Sequence, residues 1–278
     1  MAALGGDLSE LQMRASFLRG NLRLAWDLAR RDLASKHRRS LVGALWIVLT
    51  PLGLLGIYSL VFSVIFGVEW KLPHQPQGAG AGFVLPFFVG LVVYLALSDV
   101  VNSSTVLFAS KRTYVVKSPF PIWVLWLANL LRAGVHALVG LVLVLAVAAA
   151  QGRLTAAGLG GLAAGVALCL LFMCGLSLLL AALGPFIGDI SEAMRLLLRV
   201  LFYATPITYP LSLVPEAWRG WMWLNPLTCM VELLRNPIVF GAFAPPLPTI
   251  AFAAGSAALA LASVWVFRHV SGVISDVV

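Results

Sequence analysis

Charge is scarce in this sequence. Of 278 residues only 11% are Asp, Glu, Lys or Arg, where a soluble domain carries about a quarter. With 61% hydrophobic residues and a mean hydropathy of +0.97, the chain reads as an integral membrane protein. Cysteine is nearly absent too. Cys169, Cys174 and Cys229 lie in apolar surroundings without CxxC or CxH spacing, which argues against a zinc site or a disulfide framework and for packing roles. No Gly is followed directly by Lys, so the loop that cradles nucleotide phosphates is missing. HExxH, GxSxG and a paired-carboxylate signature are missing as well. Active work by this chain therefore draws its energy from a partner or an ion gradient.

What is present is a series of long apolar runs. Leu41 to Val68 is 28 residues without a charge, enough to cross a hydrocarbon core of about 30 Å with tilt. Further runs predict an all-α protein of six membrane-spanning helices at about 41–67, 83–109, 122–150, 159–185, 191–209 and 249–267, behind a cytoplasmic N-terminal region of residues 1–40. Ser191 is the expected N-cap of the fifth. Between the fifth and sixth, residues 210–248 are too broken by Pro and charge for a span and too rich in Trp for a plain loop, so short interfacial or re-entrant helices are expected there. With both termini cytoplasmic, 14 Lys and Arg fall inside and 4 outside, which accords with the positive-inside rule and explains the formal net charge of +8 without nucleic acid.

Residues 17–36 place Leu18, Leu22, Ala25, Trp26, Ala29 and Leu33 at helical spacing, with Arg23, Asp27 and Arg31 opposite and Asp32 four before Lys36. This is an amphipathic helix for the inner membrane surface, either an anchor or a platform for a cytoplasmic partner. Asp99 and Arg132 lie inside predicted spans at similar depth, roughly 15 to 18 Å from the cytoplasmic ends. Ionisable groups in a membrane pair or face water, so an Asp99–Arg132 contact is expected, with His136 one turn from Arg132 on the same face. Glu232 and Arg235 read as an i, i+3 pair in a short outer helix, or as guards of an exit. Trp218, Trp221 and Trp223 read as interface anchors or as an aromatic collar.

The segment "WDLARRDLASKHRRSLVGALWIVLTPLGLLGIYSLVFSVIFG" resembles the start of the permease subunit of type-2 ABC exporters for polysaccharides, the group serving O-antigen, teichoic acid and capsule. "VKSPFPIWVLWLANLLRAGVHALVGLVL", "GDISEAMRLLLRVLFYATPITYPLSLVPEAW" and "LNPLTCMVELLR" resemble later parts of the same family in the same order. The resemblance implies a homodimer joined to two ABC ATPase subunits, with ATP and Mg²⁺ bound by those subunits and no cofactor in this chain. It implies a polyprenyl-diphosphate-linked glycan as cargo and a bacterial inner membrane as location. Arg23, Asp27, Arg30 and Arg31, with Lys111, Arg112, Tyr114 and Lys117 in the loop after the second span, would receive the ATPase. Lys36, Arg38 and Arg39 are candidates for the lipid diphosphate. Tyr58, Phe62, Tyr94 and Tyr203 are candidate channel-lining aromatics, since sugar C–H faces stack on rings; lipid-facing belts and packing remain the alternative. A type-2 permease for a drug or small lipid, an ion-coupled carrier and an intramembrane transferase are the competing readings.

Overall fold

The computed structural model describes residues 2–36, 42–68, 70, 81–117 and 121–277, and among them the secondary structure is helical throughout. A long helix α1 (Ala2–Lys36) leads in. After a single 3₁₀ turn at Gly43–Leu45, α2 (Trp46–Ser59) continues into a π-helical stretch, Leu60–Ile65. The central helix α3 (Ala81–Thr105) is followed by the short α4 (Leu107–Ser110) and α5 (Arg112–Lys117). Two 28-residue helices, α6 (Trp123–Ala150) and α7 (Ala156–Leu183), precede α8 (Ile190–Ala204). The interrupted region folds as α9 (Glu216–Met222), α10 (Pro226–Arg235) and a π-helical turn, Asn236–Phe240, before α11 (Pro246–Val270) and α12 (Ile274–Val277).

Among the described residues five stretches are long and apolar enough to cross a membrane: Trp46–Ile65, Gly82–Thr105, Trp123–Ala150, Ala156–Leu183 and Pro246–Val270. The predicted fifth span is shorter than expected. At 15 residues, α8 rises about 22 Å, because Thr205 adopts an extended conformation, as residues before proline do. Its N-terminus also differs: the helix opens at Ile190 behind Asp189, which makes no side-chain cap bond, so Ser191 lies inside the helix. The second span closes at Thr105 instead of Ala109. The hydroxyls of Ser103 and Thr105 donate to the carbonyls of Val100 and Asn102, three residues back, local bonds that compete with the helix ladder. Val106 then leaves helical geometry with φ −109° and ψ 7°.

α3 is apolar on nearly every side because helices surround it. Phe83, Leu85, Phe87, Phe88, Val89 and Leu91 are all buried in one cluster with Met230 of α10, Cys169 of α7 and Ile207. A second cluster joins Ala25 and Leu28 of α1 to Leu107, Phe108, Val115, Val124, Leu125 and Ile274. It ties α1 and α12 to the bundle. In contrast, α2 buries Pro51 alone, and α8 leaves Leu196, Val200 and Tyr203 exposed.

Close approach in α7 depends on glycine. A Cβ on Gly158 would stand 2.6 Å from the Pro237 carbonyl oxygen, and one on Gly165 2.6 Å from that of Leu233. Both backbones thus pack without an intervening side chain, as membrane helices do where small residues recur every four positions. Gly160, on the same helix, meets nothing within 4 Å. Gly165→Val is expected to destabilise the protein by about 1–3 kcal/mol, whereas Gly160→Val leaves the thermal unfolding midpoint in detergent unchanged. Equal midpoints for the two variants would refute this packing.

Candidate functional site

Four constellations carry the residues singled out by sequence. The first lies on α1, α4 and α5. Asn21, Ala25, Leu28 and Ala29 are buried, while Leu18, Leu22 and Trp26 are about half exposed. The apolar face of α1 is therefore two stripes: one packs on the bundle, and the other, at i, i+4 and i+8, stays exposed. Asp32 pairs with Lys111 between α4 and α5. Lys111 is consequently committed inside the chain, and the exposed set is Arg23, Asp27, Arg30, Arg31, Arg112 and Tyr114. The side chains of Lys36 and Lys117, together with Arg38 and Arg39, lie outside the described residues.

The second constellation is the polar cluster between α3 and α6. Arg132 Nη1 donates to both carboxylate oxygens of Asp99 at 3.1–3.2 Å, and His136 Nδ1 sits 2.8 Å from Asp99 Oδ2. The sequence placed these three together. It did not point to the groups that extend them: Asn129 Oδ1 accepts from Arg132 at 3.3 Å, and its amide donates to Ser103 at 3.0 Å. Ser104 bonds Ser177 of α7 at 2.8 Å, and Trp126 Nε1 donates to Ser177 at 3.1 Å. A charge pair thus continues as a neutral network across three helices. The readable signal was the run Asn102 to Thr105 in an apolar span.

Aromatic rings form the third. Tyr58 meets Phe62 at 6.1 Å, Phe87 at 5.3 Å and Phe202 at 5.7 Å between centroids. Phe202 also meets Tyr94 at 4.8 Å and Tyr203 at 5.2 Å, and Phe62 continues to Phe66 and Phe83. The four predicted aromatics share one seam along α2, α3 and α8. Phe202 and Phe87 are its hubs, and both are buried. Tyr203 closes the seam on the open side, 73% exposed.

The fourth is the re-entrant region. Pro226 opens α10, with Asn225 accepting from the Leu227 N–H at 3.0 Å as N-cap. The two outer tryptophans, Trp218 and Trp221, are exposed, and Trp223 is half-buried. Every residue from Leu227 to Arg235 is buried. Glu232 and Arg235 form the i, i+3 pair at 2.7 Å, yet they sit in the core and not at a mouth. Arg235 is fully buried. It donates to the carbonyls of Pro86 at 3.1 Å and Pro206 at 2.8 Å, and its guanidinium lies 4.6 Å from the Trp70 ring. Gly90 leaves the room, since a Cβ there would stand 2.8 Å from Arg235 Nη2. The second Glu232 oxygen accepts from Asn236 at 2.9 Å.

Breaking such a pair on one side strands a buried charge, at a cost of about 3–5 kcal/mol. Arg235→Met is expected to lose that much stability in detergent unfolding, and Glu232→Gln in the same chain to recover part of it; a double variant as unstable as the sum would contradict the clamp. For Asp99→Asn and Arg132→Gln, a double-mutant cycle on unfolding is expected to give a coupling of about 0.5–3 kcal/mol. Additive losses would mean that the observed contact contributes nothing.

Residues 23–239 match the ABC-2 type transporter family. Relatives include an O-antigen export system permease protein RfbA of Myxococcus xanthus, 27% identical over 243 residues, covering 87% of this chain and 90% of the relative. An RfbA of Klebsiella pneumoniae is 25% identical over 217 residues, 76% of this chain and 80% of the relative. The polysialic acid transport protein KpsM of Escherichia coli is 23% identical over 242 residues, 87% of this chain and 86% of the relative. The apolar helices, the buried charge clamps and a match covering most of the length lead to one conclusion: this chain is a multi-pass membrane protein of the ABC-2 type transporter family.

Proposed function

We propose that this chain is the membrane-spanning subunit of an exporter that moves a polyprenyl-diphosphate-linked polysaccharide out of the cytoplasm across a bacterial inner membrane. The observation that carries the reading is the aromatic seam on α2, α3 and α8, beside a helix that buries almost nothing of itself. A second copy of the chain covers that bare face, and the rings of both copies then line a path. Rings that stack on sugar C–H faces hold a glycan weakly and repeatedly, which suits a long polymer in transit. The relatives named for O-antigen export and polysialic acid transport support the same cargo class.

In this reading α8 is the fifth crossing, extended to the outer side by the turns at 205–209, and both termini face the cytoplasm. Two ABC ATPase subunits dock on the exposed face of α1, through Arg23, Asp27, Arg30 and Arg31, and on α5, through Arg112, Tyr114 and Lys117. The Asp32–Lys111 pair joins these two surfaces, so a push on α5 reaches α1 as one unit. ATP and Mg²⁺ bind the partner. Lys36, Arg38 and Arg39 meet the lipid diphosphate before the glycan enters.

Purification from native membranes in mild detergent tests the reading. An ATP-hydrolysing subunit is expected to remain bound and to be lost when residues 1–36 are deleted. Reversing one charge, Asp32→Lys, is expected to lower retained ATPase activity roughly three- to tenfold, as loss of about one charged contact does, and Lys111→Asp in the same chain to restore it. A chain that purifies alone, where a known ABC complex survives, would overturn the proposal.

A further inference from the structure

A cavity of about 410 Å³ lies between α2, α3 and α6, within the size range of small-molecule sites. Trp46 and Thr50 of α2 form one wall, Ser98, Asp99 and Asn102 of α3 the floor, and His136 of α6 the far side. The remaining lining is aliphatic. Thr50 and Asn102 are exposed, so the cavity opens on that side. Asp99 lies six residues before the end of α3, roughly 9 Å along the axis, and Trp46 is the first residue of α2. The cavity thus sits near one membrane face, where tryptophan favours the headgroup level.

Its polar chemistry is specific. The carboxylate of Asp99 is held by Arg132 and His136, so its charge is already countered within the protein by the Arg132 guanidinium. An ammonium or phosphate entering here would lose its water without gaining a counter-charge. What remains is hydroxyl and amide. Asn102 Nδ2 donates to Ser98 Oγ at 3.2 Å, and Asn102 Oδ1 has no partner among the described residues. Such groups both donate and accept, which matches sugar or glycerol hydroxyls. The aliphatic wall suits the chain that such a head carries.

The geometry points to a side pocket that binds the uncharged, hydroxyl-bearing head of a membrane amphiphile, with its apolar chain running out along α2. The same chemistry has two sources, the sugar end of a transported lipid-linked glycan or a resident glycolipid. The site stands apart from the seam and holds whether or not the chain exports polysaccharide.

The test uses the complex purified from native membranes in nanodiscs and a dodecyl β-glucoside with a diazirine on its alkyl chain. Probes with the same chain and a phosphate or trimethylammonium head serve for comparison. The glucoside is expected to label peptides containing residues 46–51, 95–102 and 136–140 in preference to the charged probes. Thr50→Phe, which fills the opening, and Asn102→Leu are each expected to reduce that label roughly three- to tenfold with the thermal unfolding midpoint unchanged. Label competed by the exported lipid-linked glycan assigns the pocket to the transported molecule. Label not competed, with a hydroxyl-headed lipid retained from native membranes by mass spectrometry, assigns it to a resident lipid. Labelling indifferent to the head, labelling unchanged in both variants, or neither competition nor a retained lipid overturns the inference. Head preference is read without any transport, so failure of the export proposal leaves a different mark.

Discussion

Everything in this bundle answers to one constraint: a charge inside a bilayer finds no water, so the protein must supply its partners. Arg235 shows how completely that is done. Its guanidinium is ringed by Glu232, the carbonyls of Pro86 and Pro206 and the face of Trp70. Pro86 and Pro206 belong to separate parts of the chain, so one side chain fixes the re-entrant helix against the central helix and against the exit of α8. Asp99, Arg132 and His136 do the equivalent between α3 and α6, nearer the other end of α3. A helix clamped at both ends is a rigid post.

Around that post the bundle divides unequally. Its packed side, α3, α6, α7, α10 and α11, relies on glycine contacts and aliphatic burial. Its bare side, α2 and α8, holds the aromatic seam and little else. In the proposed homodimer the packed side would resist deformation while the bare side met the second copy. The cluster of α1, α4, α5 and α12 forms a separate apolar core, and Asp32 and Lys111 pair within it. In the proposed exporter a force applied there would pass into α6, on which α1 packs, and so toward the Arg132 clamp.

Much of this was legible in the sequence, and the reasons for the rest are physical. Long uncharged runs locate five helices long and apolar enough to cross a membrane among the described residues, because hydrophobic length is a property of the chain alone; the stretch 191–209, read as a further span, is not among them. The depths of Asp99 and Arg132 sufficed to pair them, since few alternatives exist in lipid. Boundaries set by local bonds were less readable: the end of α3 depends on which carbonyls Ser103 and Thr105 choose. The apolar face of α1 read as a single surface, whereas Ala25, Leu28 and Ala29 are buried against the bundle and Leu18, Leu22 and Trp26 stay exposed, because small alanines permit the closer packing. Arg235 was assigned to an outer region because charge near Pro and Trp reads as surface. The space left by Gly90, four residues after Pro86, was the signal for its burial, and it has meaning only once α10 is known to fold inward.

The most direct measurement is transfer of a lipid-linked glycan in proteoliposomes holding this chain and its ATPase partner, with the glycan's exposure on the far side followed by an added glycosidase. ATP-dependent exposure that needs both chains and survives an uncoupler is the predicted result. Exposure driven by an imposed ion gradient without ATP would contradict the export mechanism outright.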